Sequence, residues 1–228
     1  MRPGTDILYA CSSCNETFSA MSWLSGNTLV STLWSDGYLD APDMPSPNWF
    51  APCPHCKEPV WLADCDNLGE DDRPTPDPWG DPEAYAAAKQ PWVSLPQFSM
   101  RTITHQDIER GILKAHGNTA RQTDLRILFM HRANDADRVF LRDGKPGPVF
   151  CPAAAREANL LALIALLQES QSNDVLLAEA YRELGEFSDA IIVLFVVKSE
   201  ESWAATQISD WASADDRSVH ILKTPGST

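Results

Sequence analysis

The spacing of apolar positions changes near residue 100. Before it, apolar residues come in short runs: Ile7 to Ala10, Asn27 to Trp34 and Val60 to Leu62. Short runs rich in Leu, Val, Thr and Trp, set between turn formers, predict brief strands. Asp36-Gly37 predicts a turn after the second run. This part also holds 13 of the 17 prolines and 6 of the 8 tryptophans. Proline fixes φ and removes a donor, so the region favours turns and extended pieces, with large aromatics supplying burial.

Beyond residue 100 the period becomes helical. Thr104-His105-Gln106-Asp107 has the form of a capping box, with Ile108 and Ile112 one turn apart and Leu113 beside them. Gly117-Asn118 ends that helix. A second is predicted from about Thr119 to Asn134, with Leu125, Leu128 and Phe129 on one face. Residues Asp143 to Pro148 read as a loop, Pro152 opens an apolar helix through Leu167, and Asn173-Asp174 caps the next. Ser218 to Leu222 is either a helix end or a short extended tail.

The stretch from Leu177 to Val197 resembles a tetratricopeptide repeat. Ala178 matches the small residue that lets two helices approach, Tyr181 the groove aromatic and Gly185 the turn. Ala190 matches the close contact in the second helix, and Leu194 and Val197 the later apolar positions. Ser202 departs from the pattern, standing where the family usually has proline. The match spans one repeat, and a lone repeat cannot bury its own face. Its neighbours must be the helices before Gln171 and after Ser199, where Trp203, Ile208 and Trp211 offer an apolar side. Ile191 to Val197 also has the composition of a strand; Ser188-Asp189 as a cap and the repeat positions favour a helix.

Between these halves, Asp64 to Glu83 holds eight acidic residues, one Arg and four prolines, the composition of a solvated linker. Asp81 can cap a short helix to about Ala88, with Pro82 in its first turn. The fold class expected is α+β: a small β zinc-ribbon-like domain over residues 1–65, an acidic Pro-rich linker over 66–100, and an all-α, tetratricopeptide-like helical domain over 101–228.

The chemistry concentrates in two Cys-x-x-Cys pairs, Cys11-Ser12-Ser13-Cys14 and Cys53-Pro54-His55-Cys56. Four thiolates are the ligand set of a closed tetrahedral zinc site. The flanks match: Tyr9 and Phe50 precede the pairs, and Phe18 and Val60 follow at the same offset. The 38 residues between Cys14 and Cys53 exceed the common spacing and imply a β insertion between the knuckles. Iron suits the same ligands in a rubredoxin-like site, but nothing else suggests electron transfer, so zinc is expected, in a structural role. His55 reads as a surface residue rather than a ligand. Cys65 should pack near the ribbon. Cys151 precedes a helix start, where the dipole can lower a thiol pKa, although a buried structural thiol is the plainer reading. Glu70-Asp71-Asp72 reads as an exposed loop before it reads as a cation site. No catalytic motif is present: no Gly-x-Ser-x-Gly, no His-Glu-x-x-His and no phosphate loop. The expectation is therefore not an enzyme, with no catalytic or cofactor-binding residue named.

The formal net charge is −14, which opposes phosphate backbones at long range and argues against free nucleic acid. A nucleic-acid-associated regulator would need Arg121, Arg126 and Arg132 on one face. No apolar run is long enough to span a bilayer and no signal peptide is visible, so a cytoplasmic setting without membrane contact is expected. The order Leu33-Trp34-Ser35-Asp36-Gly37, Ala41-Pro42, then Cys53 to Cys56 with Trp61 resembles a bacterial family with no assigned activity, in which a cysteine ribbon precedes a helical region. That resemblance implies organisation, not mechanism. The function expected is a zinc-containing interaction module that holds a protein partner, basic in character, through its helical domain and acidic surface. Its narrower form is an immunity- or antitoxin-like inhibitor of a basic toxin.

Overall fold

A computed structural model describes residues 2–44, 48–71, 95–171, 173–195, 197 and 202–223. The fold is α+β. Its contacts gather the chain into two compact units, Met1–Asn27 with Asp43–Ile103, and Thr28–Pro42 with Thr104–Thr228.

The first unit is built of short antiparallel ladders. β1 (Arg2–Pro3) pairs β4 (Trp23–Ser25). β2 (Ile7–Ala10) lies between β3 (Thr17–Ala20) and β9 (Asp66–Glu70). β7 (Phe50–Pro52) pairs β8 (Pro59–Trp61), and a 3-10 turn follows at Leu62–Asp64. Strands this short cannot bury much surface individually, so aromatics carry the core. Phe18 is fully buried and stacks on Phe98 at 5.2 Å and Tyr9 at 6.0 Å; Ala20, Ala51 and Val60 pack around it.

Two pieces of the segment expected as a linker belong to this unit. Asp66–Glu70 is an edge strand whose five residues are all exposed. Only its backbone pairs, so no alternation marks it in the sequence. Phe98 then returns to the core, its N–H donating to Ser19 O at 2.8 Å. The helix expected from Asp81 to Ala88, and most of the acidic stretch, lie outside the described residues.

The second unit is helical: α1 (His105–Lys114), α2 (Thr119–Ala133), α3 (Asp135–Asp143), α4 (Ala153–Ser170), α5 (Asp174–Leu184), α6 (Phe187–Leu194) and α7 (Ser202–Ser213). Its caps follow the local sequence. Thr104 and Asp107 form the reciprocal capping box, Asn118 accepts from Arg121 N–H, and Asn173 accepts from Leu176 N–H. Ile108 turns inward, whereas Leu113 is left exposed. α3 was not expected. Its one buried residue is Arg138, so the inward face carries charge where an apolar stripe would reveal a helix.

Gly185 ends α5 at φ +94°, a conformation glycine adopts without strain. Glu186 N–H reaches Tyr181 O at 2.9 Å and Gly185 N–H reaches Arg182 O at 3.0 Å, a Schellman ending that turns the chain into α6. Phe187–Leu194 is helical, not a strand. Ala178 and Ala190, both fully buried, share a core with Leu194, Ala205, Ile208 and Ala212. A second core joins Met130, Leu160, Leu163, Leu167, Leu176 and Ala180.

The insertion between the knuckles is β, as expected. β3 and β4 open it and belong to the first unit, whereas its hairpin of β5 (Thr32–Leu33) against β6 (Leu39–Asp40) groups with the helices. The C-terminal tail is extended and pairs with it: Leu222 N–H donates to Leu33 O at 2.9 Å and Ser35 N–H to His220 O at 2.8 Å. Among the described residues, no helix is long and apolar enough to cross a membrane.

Candidate metal centre

Each Cys-x-x-Cys pair sits on a tight turn between two strands, and the two turns repeat one hydrogen-bond pattern. Cys11 N–H donates to Glu16 O at 3.0 Å and Cys53 N–H to Glu58 O at 2.8 Å. Asn15 N–H closes on Cys11 O at 2.9 Å and Lys57 N–H on Cys53 O at 3.0 Å. Ser13 N–H points at Cys11 Sγ (3.3 Å) and His55 N–H at Cys53 Sγ (3.4 Å). Asn15 and Lys57 take φ of +62° and +63°, so each knuckle holds a non-glycine residue in the left-handed region. Strain of that kind persists where the surrounding structure fixes it.

The turns bring the Sγ atoms of Cys11, Cys14, Cys53 and Cys56 within 4.8 Å of one another. Cys14 Sγ and Cys53 Sγ are 3.8 Å apart. A tetrahedral ion with metal–sulfur bonds of about 2.3 Å requires sulfur–sulfur separations of about 3.8 Å. The donor set therefore fits a metal ion, and all six cysteines are free thiols. Cys11 and Cys53 are buried, Cys14 and Cys56 half-buried. Burial pushes the Cys53 thiol up to about 12, amide N–H groups of Cys56 and His55 offsetting part of the rise. At Cys11 burial also pushes upward, but the Ser13 and Cys14 amides and the Cys53 and Cys14 thiols bring it down to about 7. Among the described residues these four are the one group of three or more His, Cys, Asp or Glu side chains close enough to share an ion.

The neighbouring candidates fall elsewhere. His55 Nε2 pairs with Thr17 O at 2.9 Å. Cys65 is buried in the same core and donates to Trp61 O at 3.6 Å. Cys151 is buried at a helix start, and its thiol lies above its ordinary value, not below it. Burial raises it, with Arg156 pulling down and Glu109 pushing up. Arg126 bonds Asn159 at 3.4 Å and Arg132 pairs with Asp135 at 3.1 Å, so both are engaged within the helical unit.

No protein family, no curated protein and no solved structure matches this chain. The site must speak through its own chemistry.

A second concentration of chemistry, invisible in the sequence, lies inside the helical unit. Asp36, fully buried in the β5–β6 turn, accepts from Asn134 Nδ2 at 2.9 Å and from Arg138. Asn134 also donates to Glu183 at 2.8 Å and accepts from Arg156 at 2.7 Å. Arg156 reaches Glu183 at 3.0 Å. The Arg138 guanidinium lies 4.3 Å from the Tyr38 ring centroid. Beside Glu183 on α5, Arg182 and Glu179, both fully buried, form a bidentate pair at 2.8 and 2.6 Å. Burial alone would lower the Arg182 pKa; the Glu179 carboxylate outweighs it and holds it up.

Glu183 gives this network a pH signature. Burial, then the nearby Glu179 and Asp36 charges, push its carboxyl up to about 8 against the attraction of Arg156. Between its usual 4.5 and about 8 the folded chain holds a proton that the unfolded chain releases. Stability from this group is therefore complete below pH 4.5 and is lost as pH rises through about 8. Glu183→Gln should flatten the decline of the urea midpoint between pH 5 and 8 relative to wild type, whatever its absolute level. A parallel decline in both proteins would assign the slope to other groups.

Proposed function

We propose that this chain is a non-enzymatic interaction protein, in which a zinc ion held by Cys11, Cys14, Cys53 and Cys56 fixes the β unit and the helical unit holds a basic protein partner. Zinc suits the donor set: it prefers four thiolates in a tetrahedral shell and needs no redox partner. Four thiolates leave no open position, which favours a structural metal over a catalytic one. The α5–α6 hairpin, with its buried alanines and Gly185 turn, supports the tetratricopeptide-like reading. Helix pairs of this type present surfaces suited to protein faces.

The observation that carries the reading is an exposed apolar strip on α6 and its C-cap residue, Phe195. Ile191 and Phe195 stand one turn apart, with Ile192 beside them. Phe195 is 92% exposed and Ile192 67%. Large apolar side chains grouped in this way mark interaction surfaces. The −14 charge selects a basic partner and speeds encounter with it.

Capture on the immobilised full-length chain, followed by mass spectrometry, identifies the partner. Association with that partner should slow as salt rises, and Phe195→Ser should weaken binding about ten-fold or more, the effect of losing an interface anchor. A basic toxin as partner would make the protein an immunity-type inhibitor. Micromolar or tighter binding to DNA or RNA at physiological salt, or a partner indifferent to both salt and Phe195→Ser, would overturn the reading.

A further inference from the structure

The β5–β6 hairpin, α2 and the first turns of α5 and α7 enclose a half-open cavity of about 400 Å³. That volume falls in the range of small-molecule pockets, about 300–1,000 Å³, which pair apolar walls with a few placed polar groups. Here the apolar wall includes Leu33, Ile127, Val175 and Trp203.

Most polar groups on the wall are already engaged. Ser35 Oγ accepts from His220 N–H at 3.0 Å, and Asn173 Oδ1 caps α5. The Asp36 carboxylate accepts from Asn134 and Arg138. His131 differs. Its Nε2 meets the backbone carbonyl of Asp36 at 3.0 Å. A carbonyl only accepts, so Nε2 carries the hydrogen and Nδ1 of the neutral ring is an acceptor. Burial lowers the His131 pKa against the pull of Asp36, so the neutral ring dominates at pH 7. Among the described residues, Nδ1 has no hydrogen-bond partner.

We propose that this cavity binds a compact, uncharged aromatic molecule whose hydroxyl or N–H donates to Nδ1 of His131. The walls and Trp203 favour a flat apolar body, and bringing a net charge against them would carry a desolvation cost. The site stands independently of any protein partner.

Fluorine NMR on the full chain tests it with a matched pair of probes, 4-fluorophenol and 4-fluoroanisole, which differ in the donor. The phenol should show saturable binding in the millimolar range, about five-fold tighter than the ether, the effect of one net hydrogen bond. His131→Phe should erase that preference while the ether still binds. Val175→Trp should fill the cavity and abolish both; if its circular dichroism shows unfolding, Leu33→Trp on another wall replaces it. No saturable binding by wild type, equal binding of the two probes, a preference that survives His131→Phe, or binding that survives a filled cavity would each overturn the proposal. The wild-type comparison decides even if His131→Phe does not fold.

Discussion

Replacing Cys53 with Ser is expected to release the metal and loosen the β unit while the helical signal persists. Cys53 is fully buried and lies within 3.8 Å of Cys14 Sγ. Serine removes one of four thiolates and puts a hydroxyl into an apolar setting. A structural zinc contributes about 10–16 kcal/mol of apparent binding free energy in small peptides, comparable to the whole stability of a domain, about 5–15 kcal/mol. The strands here are two to five residues long, too short to replace that contribution. Elemental analysis should find about one zinc per wild-type chain and little in the variant. Limited proteolysis should open the stretch from Ile7 to Glu70 outside the hairpin, while far-ultraviolet circular dichroism keeps its helical minimum, since the helices have cores of their own. Cys65→Ser is the control. Cys65 is buried in the same core but is not one of the four, so it should keep its metal. Wild-type metal content and protease resistance in Cys53→Ser would remove the structural role.

The parts of this architecture legible in the sequence are those set by nearby residues. The knuckles show because chelation demands two thiols three positions apart. The helix starts show because Thr104, Asn118 and Asn173 each satisfy an amide three residues on. The rest depends on partners distant in the chain. Asp36 looks like half of a turn signal, and its buried role requires Asn134 and Arg138 from another part of the sequence. The same pairing explains why residues 28–42, flanked by cysteine knuckles, group with helices. α3 hides because Arg138 fills the position where an apolar residue would give the period. β9 hides because its residues are all exposed and its ladder contacts are made by backbone alone. In α5, Glu179, Arg182 and Glu183 have the spacing of a solvated charged face, yet all three are buried.

That inversion on α5 leads to the second large effect. Arg182→Met should destabilise the helical unit by about 3–5 kcal/mol, the loss typical when one member of a buried ion pair is removed. Methionine matches much of the volume, so packing is largely kept and the charge is what changes. Glu179, with no solvent exposure, loses its bidentate partner. The backbone carbonyls of Asp216 and Ser218 lose the donor that ties down the segment after α7. That segment carries His220 and Leu222, which pair with the β5–β6 hairpin, so protection against hydrogen exchange should fall there first. The double variant Glu179→Met, Arg182→Met separates the two causes. Removing both charges should recover part of the loss, because the uncompensated carboxylate is gone while the carbonyls stay unpaired. A single variant within about 1 kcal/mol of wild type by urea unfolding would show that the pair contributes little. A double variant no more stable than the single would move the energy from the ion pair to the tail contacts.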